Sequence, residues 1–364
     1  MMLQASDSQW MARALQLAER GRYSTSPNPR VGCVLVKNGA VIGEGWHVRA
    51  GEPHAEALAL CAAAGTAHGA TAYVTLEPCS HHGRTPPCAD ALIAAGVARV
   101  VVAMQDPNPL VAGQGIARLL AAGIAVECGL METAARELNI GFVARMTRGT
   151  PWVRSKIAAS LDGRTALANG VSKWITGEAA RRDVQLWRAT SCAILTGIGT
   201  VLADDPQLNV REVQTERQPL RVVLDNDLRV SPGARILQGK KTLIYTISTD
   251  EKKRASLQTA GAEVVVMQGA DAQVDLPAVM RDLAQRGINE VLVEAGRTLN
   301  GALLKAGLVD ELVLYLAPQL LGDAARGMAA LGELLQLEQR VELQWQDVRH
   351  VGKDLRITAR VKHV

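Results

Sequence analysis

Apolar residues recur at helical spacing over residues 8–22, then alternate over 31–36 and 41–47. The two alternating runs flank Lys37-Asn38-Gly39-Ala40. Asn-Gly between such runs predicts a tight hairpin, because both residues accept the left-handed backbone the turn needs. Helix and strand patterns then interchange: helix 54–64, strand 71–76, helix 87–96, strand 99–104, helix 114–122, strand 124–128 and helix 131–143. This alternation predicts an α/β unit with a mixed sheet and helices on both faces. Arg145-Met146-Thr147-Arg148-Gly149-Thr150-Pro151 is polar and predicts a short linker. A second α/β unit follows, with strands at 153–159, 192–196, 221–225, 242–247, 263–267, 290–294 and 310–316. Residues 341–364 predict two or three antiparallel strands, so the second sheet should be largely parallel with an antiparallel edge. The expected domains are 1–147 and 148–364.

The first domain carries a distinctive chemical constellation. His54-Ala55-Glu56 precedes Pro78-Cys79 and Pro86-Pro87-Cys88. One imidazole and two thiolates close three sides of a zinc tetrahedron and leave the fourth open for water. A neighbouring carboxylate that is not a ligand, Glu56, can then carry protons. Positions i and i+2 point apart in mid-helix, so His54 and Glu56 can share a site only at a helix end. Pro53 suits a first helical position, and 56–64 is rich in helix formers. Residues 89–96 repeat the arrangement after Cys88, ending in Gly96. Two helix N-termini would then face one metal and favour thiolate. A structural zinc site that borrows His81 or His82 as fourth ligand is the competing reading, but it has no use for Glu56.

The 364 residues and the uneven spread of Cys and His support two domains. Residues 1–150 hold five of the six Cys and five of the seven His. The cysteines form no disulfide framework, which points to a reducing, cytoplasmic setting; Cys33, Cys61, Cys128 and Cys192 read as packing. No run of about 18 apolar residues and no leader-like N-terminus is present. The formal net charge of +4 is spread over both halves, without the basic run that tracks a nucleic-acid backbone. In the second half, Thr196-Gly197-Ile198-Gly199-Thr200 lacks the third glycine of a dinucleotide fingerprint. Val291 to Gly301 reads as a strand, a glycine turn and a helix start, an arrangement that can cradle an anion.

Longer stretches carry a resemblance over nearly the whole chain. They are Ser26-Pro27-Asn28-Pro29-Arg30-Val31-Gly32-Cys33, His54-Ala55-Glu56, Thr75-Leu76-Glu77-Pro78-Cys79 through Cys88, and Asp106-Pro107-Asn108-Pro109. In the second half they are Lys156 to Gly163, Ser172 to Gly177, and Thr196 to Pro206. The chain resembles the bifunctional deaminase/reductase family of riboflavin biosynthesis. The eight-residue gap between Cys79 and Cys88 sets it apart from nucleoside and nucleic-acid deaminases, which usually have two residues there.

The resemblance implies an N-terminal cytidine-deaminase-like domain and a C-terminal dihydrofolate-reductase-like domain. It implies zinc-dependent removal of an amino group from 2,5-diamino-6-ribosylamino-4(3H)-pyrimidinone 5′-phosphate, then NADPH-dependent reduction of ribosyl to ribityl. His54, Cys79 and Cys88 would hold zinc and Glu56 would be catalytic. Asn28, His47 and Arg84 would bind the deaminase substrate. Lys156, Ser172, Arg188, Leu208, Arg211 and Glu294 would bind the reductase substrate, with Arg188 and Arg211 clamping its phosphate. Ala158, Trp174, Thr200, Asp204, Gly296, Arg297, Thr298, Leu299, Asn300 and Gly301 would line the cofactor. Ala295 replaces an expected glycine and should narrow the backbone approach there. The expected partners are a small phosphorylated pyrimidine and further copies of the chain in a homo-oligomer, with neither nucleic acid nor membrane. The rival is an RNA-editing type zinc deaminase with a C-terminal binding domain; the even charge and the long cysteine gap count against it.

Overall fold

The computed structural model describes residues 5–80, 87–239, 241–269 and 272–362. It divides into two compact units, Met1–Gly149 and Thr150–Val364.

The first unit runs α1 (Ala5–Glu19), β1 (Gly32–Lys37), β2 (Ala40–Trp46), α2 (Ala55–Ala62), β3 (Thr71–Val74), α3 (Cys88–Ala94), β4 (Arg99–Val102), α4 (Gln114–Ala121), β5 (Ala125–Cys128), α5 (Glu132–Leu138) and α6 (Ile140–Arg148). The sheet order is β2-β1-β3-β4-β5, antiparallel across β1 and parallel from β3 to β5. Asn38 and Gly39 both have positive φ (52° and 74°), as the hairpin turn requires. The period-2 pattern of β1 separates two apolar layers. Cys33 and Leu35 join Ala55, Ala59, Leu92 and Leu119 on one side, while Val34 and Val36 join Met11, Leu17 and Phe142 on the other.

Two expectations need correction here. The helix expected at 131–143 is two helices, broken at buried Asn139, whose amide exchanges hydrogen bonds with the Arg30 backbone. The expected polar linker is helical through Arg148 and ends at Gly149, which has φ 70°. Arg145 and Arg148 sit in the last turn, where basic side chains suit the helix dipole.

The second unit contains β6 (Trp152–Ser160), β7 (Arg164–Ala166), α7 (Glu178–Thr190), β8 (Ala193–Gly197), α8 (Ile198–Asp204), β9 (Leu220–Leu224), β10 (Thr242–Thr246), α9 (Glu251–Thr259), β11 (Ala262–Val266), α10 (Leu276–Gln285), β12 (Glu290–Val293), α11 (Arg297–Lys305), β13 (Glu311–Ala317), β14 (Arg326–Gly327), β15 (Leu343–Val351) and β16 (Asp354–Val361). The large sheet has the order β11-β10-β9-β8-β12-β6-β13-β16-β15, parallel up to β13 and antiparallel at the β16-β15 edge. β7 and β14, too short to show a period in sequence, form a separate two-stranded ribbon. Val201 of α8 packs in one apolar layer and Leu303 of α11 in the other. These helices follow the neighbouring strands β8 and β12, so the chain leaves adjacent strand ends toward opposite faces. That divergence opens a crevice at the carboxyl ends of the strands, the place where open α/β sheets bind ligands.

Candidate active sites

The first site is assembled at two helix starts. β2 meets α2 through Gly43 and Gly45, where a Cβ would come within 2.2 and 2.4 Å of the Ala59 and Ala55 carbonyl oxygens. This close approach fixes the start of α2, with His54 as the N-cap and Glu56 in the first turn. Cys88 opens α3, preceded by Pro87 as its N-cap. Both Pro53 and Pro87 therefore stand just ahead of a helix, where a missing N–H costs nothing. Cys79 lies in the loop after β3; its carbonyl accepts from the Ala89 N–H (3.1 Å) and its sulfur from the Cys88 N–H (3.3 Å).

His54 Nδ1 lies 3.5 Å from Cys79 Sγ and 3.3 Å from Cys88 Sγ, and the three donor atoms are within 4.8 Å of one another. One imidazole nitrogen and two sulfurs converging this closely fit zinc in a site with three protein ligands. Glu56 is buried in the first turn of α2, two residues from His54. Burial, reinforced by the charge of Cys79, pushes Glu56 up to about 7. Cys88, ahead of His54, holds the Cys79 thiol low, at about 4, while Cys79 and burial push Cys88 up.

Asn28 and His47 form one unit. His47 Nδ1 donates to the Pro53 carbonyl (3.1 Å), which leaves Nε2 to accept from Asn28 Nδ2 (3.0 Å). Burial lowers the His47 pKa, consistent with a neutral ring in this role. The His47 ring stands edge-on to His54, with centroids 5.3 Å apart. Arg84, His81 and His82 lie outside the described residues. Cys33 and Cys192 are buried, but Cys61 and Cys128 are exposed, so packing does not account for the latter two. Glu77 was not singled out from sequence, yet it is buried beside the ligand loop. The available signal was a carboxylate at the end of an apolar strand, directly before Pro78-Cys79.

The second site occupies the crevice of the large sheet. Val293 of β12 pairs with Ser155 of β6, which sets Lys156 level with Glu294. Arg188, in the last turn of α7, meets Glu294 with Nε–Oε1 2.5 Å and Nη2–Oε2 2.9 Å. Arg188 Nη1 donates to the Asn209 carbonyl (3.0 Å). Burial would raise the Glu294 carboxyl, but Arg188, Lys156 and Arg211 hold it below its ordinary value. Burial lowers Lys156, with Glu294 opposing and Arg188 assisting. Leu208 is buried with φ 45°, and the Arg211 N–H donates to Gln185 Oε1 (2.9 Å). One bidentate edge of Arg188 is therefore occupied by Glu294. Of the two arginines expected to clamp a phosphate, Arg188 thus has this edge and one Nη1 bond engaged within the protein.

The cofactor candidates divide in two. Thr196 Oγ1 donates to the Glu294 carbonyl (2.8 Å) and ties the ends of β8 and β12 together. Gly199 and Gly296 face open space, with nothing within 4 Å of an added Cβ, and Gly296 is the N-cap of α11. Gly296, Arg297 and Thr298 are exposed, and Thr200, Leu299 and Ala158 are partly so. A strand end, an open glycine and free helical N–H groups make a cradle that fits the phosphates of a dinucleotide. By contrast, Asn300 is buried and its amide is committed: Ser155 donates to Oδ1, and Nδ2 donates to the Ala295 and Met328 carbonyls. A Cβ on Gly301 would come within 2.5 Å of the Ala330 carbonyl oxygen. Asn300 and Gly301 thus brace the turn from inside. The Ala295 side chain packs with the apolar core, so its methyl is accommodated there, contrary to the expected narrowing. Ser172 is half-buried, Trp174 is exposed with Arg181 over its ring, and Asp204 pairs with Lys173 (3.0 Å).

Residues 4–104 match the cytidine and deoxycytidylate deaminase zinc-binding region, and residues 151–357 match the RibD C-terminal domain. The riboflavin biosynthesis protein RibD of Escherichia coli is 54% identical over 361 residues, spanning 96% of this chain and 98% of that protein. The Haemophilus influenzae protein of the same name is 47% identical, spanning 99% of each. The chain belongs to the RibD family. Among solved structures, Acinetobacter baumannii RibD superimposes with a TM-score of 0.92 at 48% identity, over 98% of this chain and 99% of that one. A Thermotoga maritima diaminohydroxyphosphoribosylaminopyrimidine deaminase/5-amino-6-(5-phosphoribosylamino)uracil reductase gives 0.85 at 32% identity, over 98% and 99%. As a RibD family member, the chain is a bifunctional enzyme of riboflavin biosynthesis, with a zinc-dependent deaminase domain followed by an NADPH-dependent reductase domain.

Proposed function

We propose that His54, Cys79 and Cys88 hold the zinc of the deaminase and that Glu56 is its proton carrier. The observation that carries this reading is the convergence of the three donor atoms beside a buried carboxyl. When bound, zinc supplies the Lewis acidity that makes water a nucleophile at neutral pH. Glu56 takes the proton from the attacking water and returns it to the departing amine, so the C–N bond breaks with release of ammonia. Asn28, oriented by His47, presents its amide to the pyrimidine, and Arg84 meets the phosphate.

In the reductase domain, NADPH supplies the hydride when bound against the crevice lined by Ala158, Trp174, Thr200, Asp204 and residues 296–299. Lys156 donates a hydrogen bond to the ribose oxygen that gains a proton as the ring opens. Glu294 orients Lys156 and Arg188, Arg211 takes the phosphate, and Ser172 and Leu208 complete the substrate side. Burial favours the uncharged amine of Lys156, so its proton is more readily given up.

The substrate proposed for the first reaction is the diaminopyrimidine ribosyl phosphate; the second acts on its deaminated product. Trp345 and Val348 are exposed on edge strand β15, which supports assembly into a homo-oligomer. The evenly spread charge supports a small-molecule partner over nucleic acid. The two required thiolates support a cytoplasmic location, and no described helix is long and apolar enough to cross a membrane. The test is to supply purified enzyme with the diaminopyrimidine phosphate and NADPH, following ammonia and NADPH oxidation separately. Both signals should appear, ammonia first; NADPH oxidation without ammonia release would overturn the assigned order.

A further inference from the structure

The carboxylate of Glu77 is surrounded by backbone donors. Oε1 accepts from the N–H groups of Gly115 (2.8 Å) and Ile116 (3.1 Å), and Oε2 from those of Gly113 (2.9 Å) and Asp106 (3.1 Å). Gly113 is the N-cap of α4, and Gly115 and Ile116 lie in its first turn. Glu77 therefore caps a helix that is distant in sequence, supplying an acceptor to donors that helix geometry leaves open and a negative charge to the positive end of its dipole. The Glu77 N–H donates to the carbonyl of Met104, just beyond β4 (3.0 Å). A Cβ on Gly115 would come within 1.9 Å of the Pro78 carbonyl oxygen, so α4 lies directly against the peptide that leads into Cys79.

The same helix holds the far side of that cysteine. Arg118 of α4 donates from Nη1 to the Ser80 carbonyl (2.9 Å) and pairs through Nε with Asp90 of α3 (2.6 Å). Cys79 is thus bracketed: Glu77 binds α4 on one side, and Arg118 binds Ser80 and the helix that begins with Cys88 on the other. The chain around Cys79 acquires a fixed path because one buried carboxylate and one arginine fasten it to a helix.

We infer that Glu77 is a positioning residue of the deaminase, acting through the α4 brace to hold the Cys79 sulfur where it meets His54 and Cys88. The inference rests on the reading of His54, Cys79 and Cys88 as zinc ligands. The four hydrogen bonds to the Glu77 carboxylate all come from backbone N–H groups, so its effect on the site runs through the fold. Groups that orient metal ligands in this indirect way typically change metal affinity or activity by about 10–100-fold when removed.

The test uses full-length Glu77→Gln, which replaces one acceptor oxygen with an NH₂ aimed at backbone N–H groups, together with Arg118→Ala, which leaves Glu77 in place. Zinc affinity is measured by competition with a chromophoric chelator, and the thiolate-to-metal absorption of the cobalt-substituted protein is recorded. Expected for Glu77→Gln are zinc affinity reduced by about 10–100-fold and an altered cobalt spectrum, with NADPH-dependent reduction of the deaminated substrate unchanged. Arg118→Ala should shift both metal readouts in the same direction by a smaller factor. Wild-type zinc affinity and cobalt spectrum in Glu77→Gln, even with a lower melting temperature, would mean a purely structural role and overturn the inference. If Glu77→Gln does not fold, unchanged metal readouts in Arg118→Ala overturn it. A wild-type protein that binds neither zinc nor cobalt would instead defeat the underlying ligand assignment.

Discussion

Arg188 and Glu294 meet through two parallel hydrogen bonds of 2.5 and 2.9 Å, each side chain about 11% exposed, just beyond the carboxyl end of β12. A guanidinium and a carboxylate buried in this geometry hold each other and the nearby Lys156 in place. Removing one partner leaves an uncompensated buried charge. Glu294→Ala should therefore destabilise the reductase domain by about 3 kcal/mol and abolish reduction while ammonia release persists. Urea denaturation followed on the full-length protein, with both activities assayed, checks this.

The same pair predicts a pH dependence. The Arg188, Lys156 and Arg211 charges outweigh burial and hold Glu294 below its ordinary value of 4.5. A depressed carboxylate contributes stability that is complete above its unfolded pKa and is lost as pH falls through the lower native one. The unfolding midpoint of the reductase domain should drop as pH falls from roughly 5 to roughly 3, and Glu294→Gln should flatten that part of the profile. An identical slope in the variant would place the acid sensitivity elsewhere.

Arg84→Ala and Arg211→Ala should separate the two reactions. Each loses a charge-assisted contact to a phosphate, of about 1.5–3 kcal/mol, expressed as a higher KM for one reaction only. Steady-state kinetics with each substrate distinguishes this from a shared phosphate site, in which both reactions would suffer together.

The halves should also function apart. Each unit has its own sheet and its own apolar layers. A fragment of residues 1–149 should retain zinc, and one of residues 150–364 should bind NADPH and reduce the deaminated substrate if it stays soluble. A folded C-terminal fragment that binds NADPH without turnover would show that the first domain completes the reductase site.

Periodicity and turn chemistry carried most of the architecture. The Asn38-Gly39 hairpin, the strand–helix alternation and the antiparallel C-terminal edge were all legible, because each depends on local pattern. The break at Asn139 was not, since it follows from a side chain bonding the distant backbone of Arg30. The convergence of His54, Cys79 and Cys88 was legible because two prolines and two helix-forming runs mark their positions along the chain. The packing of Asn300 and Gly301 was not legible for the opposite reason. A glycine turn in sequence does not reveal whether it opens toward a ligand, as Gly296 does, or presses against a neighbouring segment, as Gly301 does against Ala330. Glu77 went unnoticed because its four partners lie 29 to 39 residues away.

Glu56→Gln addresses the deaminase assignment most directly. The substitution keeps the shape of the side chain and removes its proton. The purified variant should carry one zinc per chain by elemental analysis, release ammonia about 10²–10⁴-fold more slowly, and oxidise NADPH at the wild-type rate with the deaminated substrate. Near-normal ammonia release from a zinc-loaded variant would contradict the assignment of Glu56 as the proton carrier.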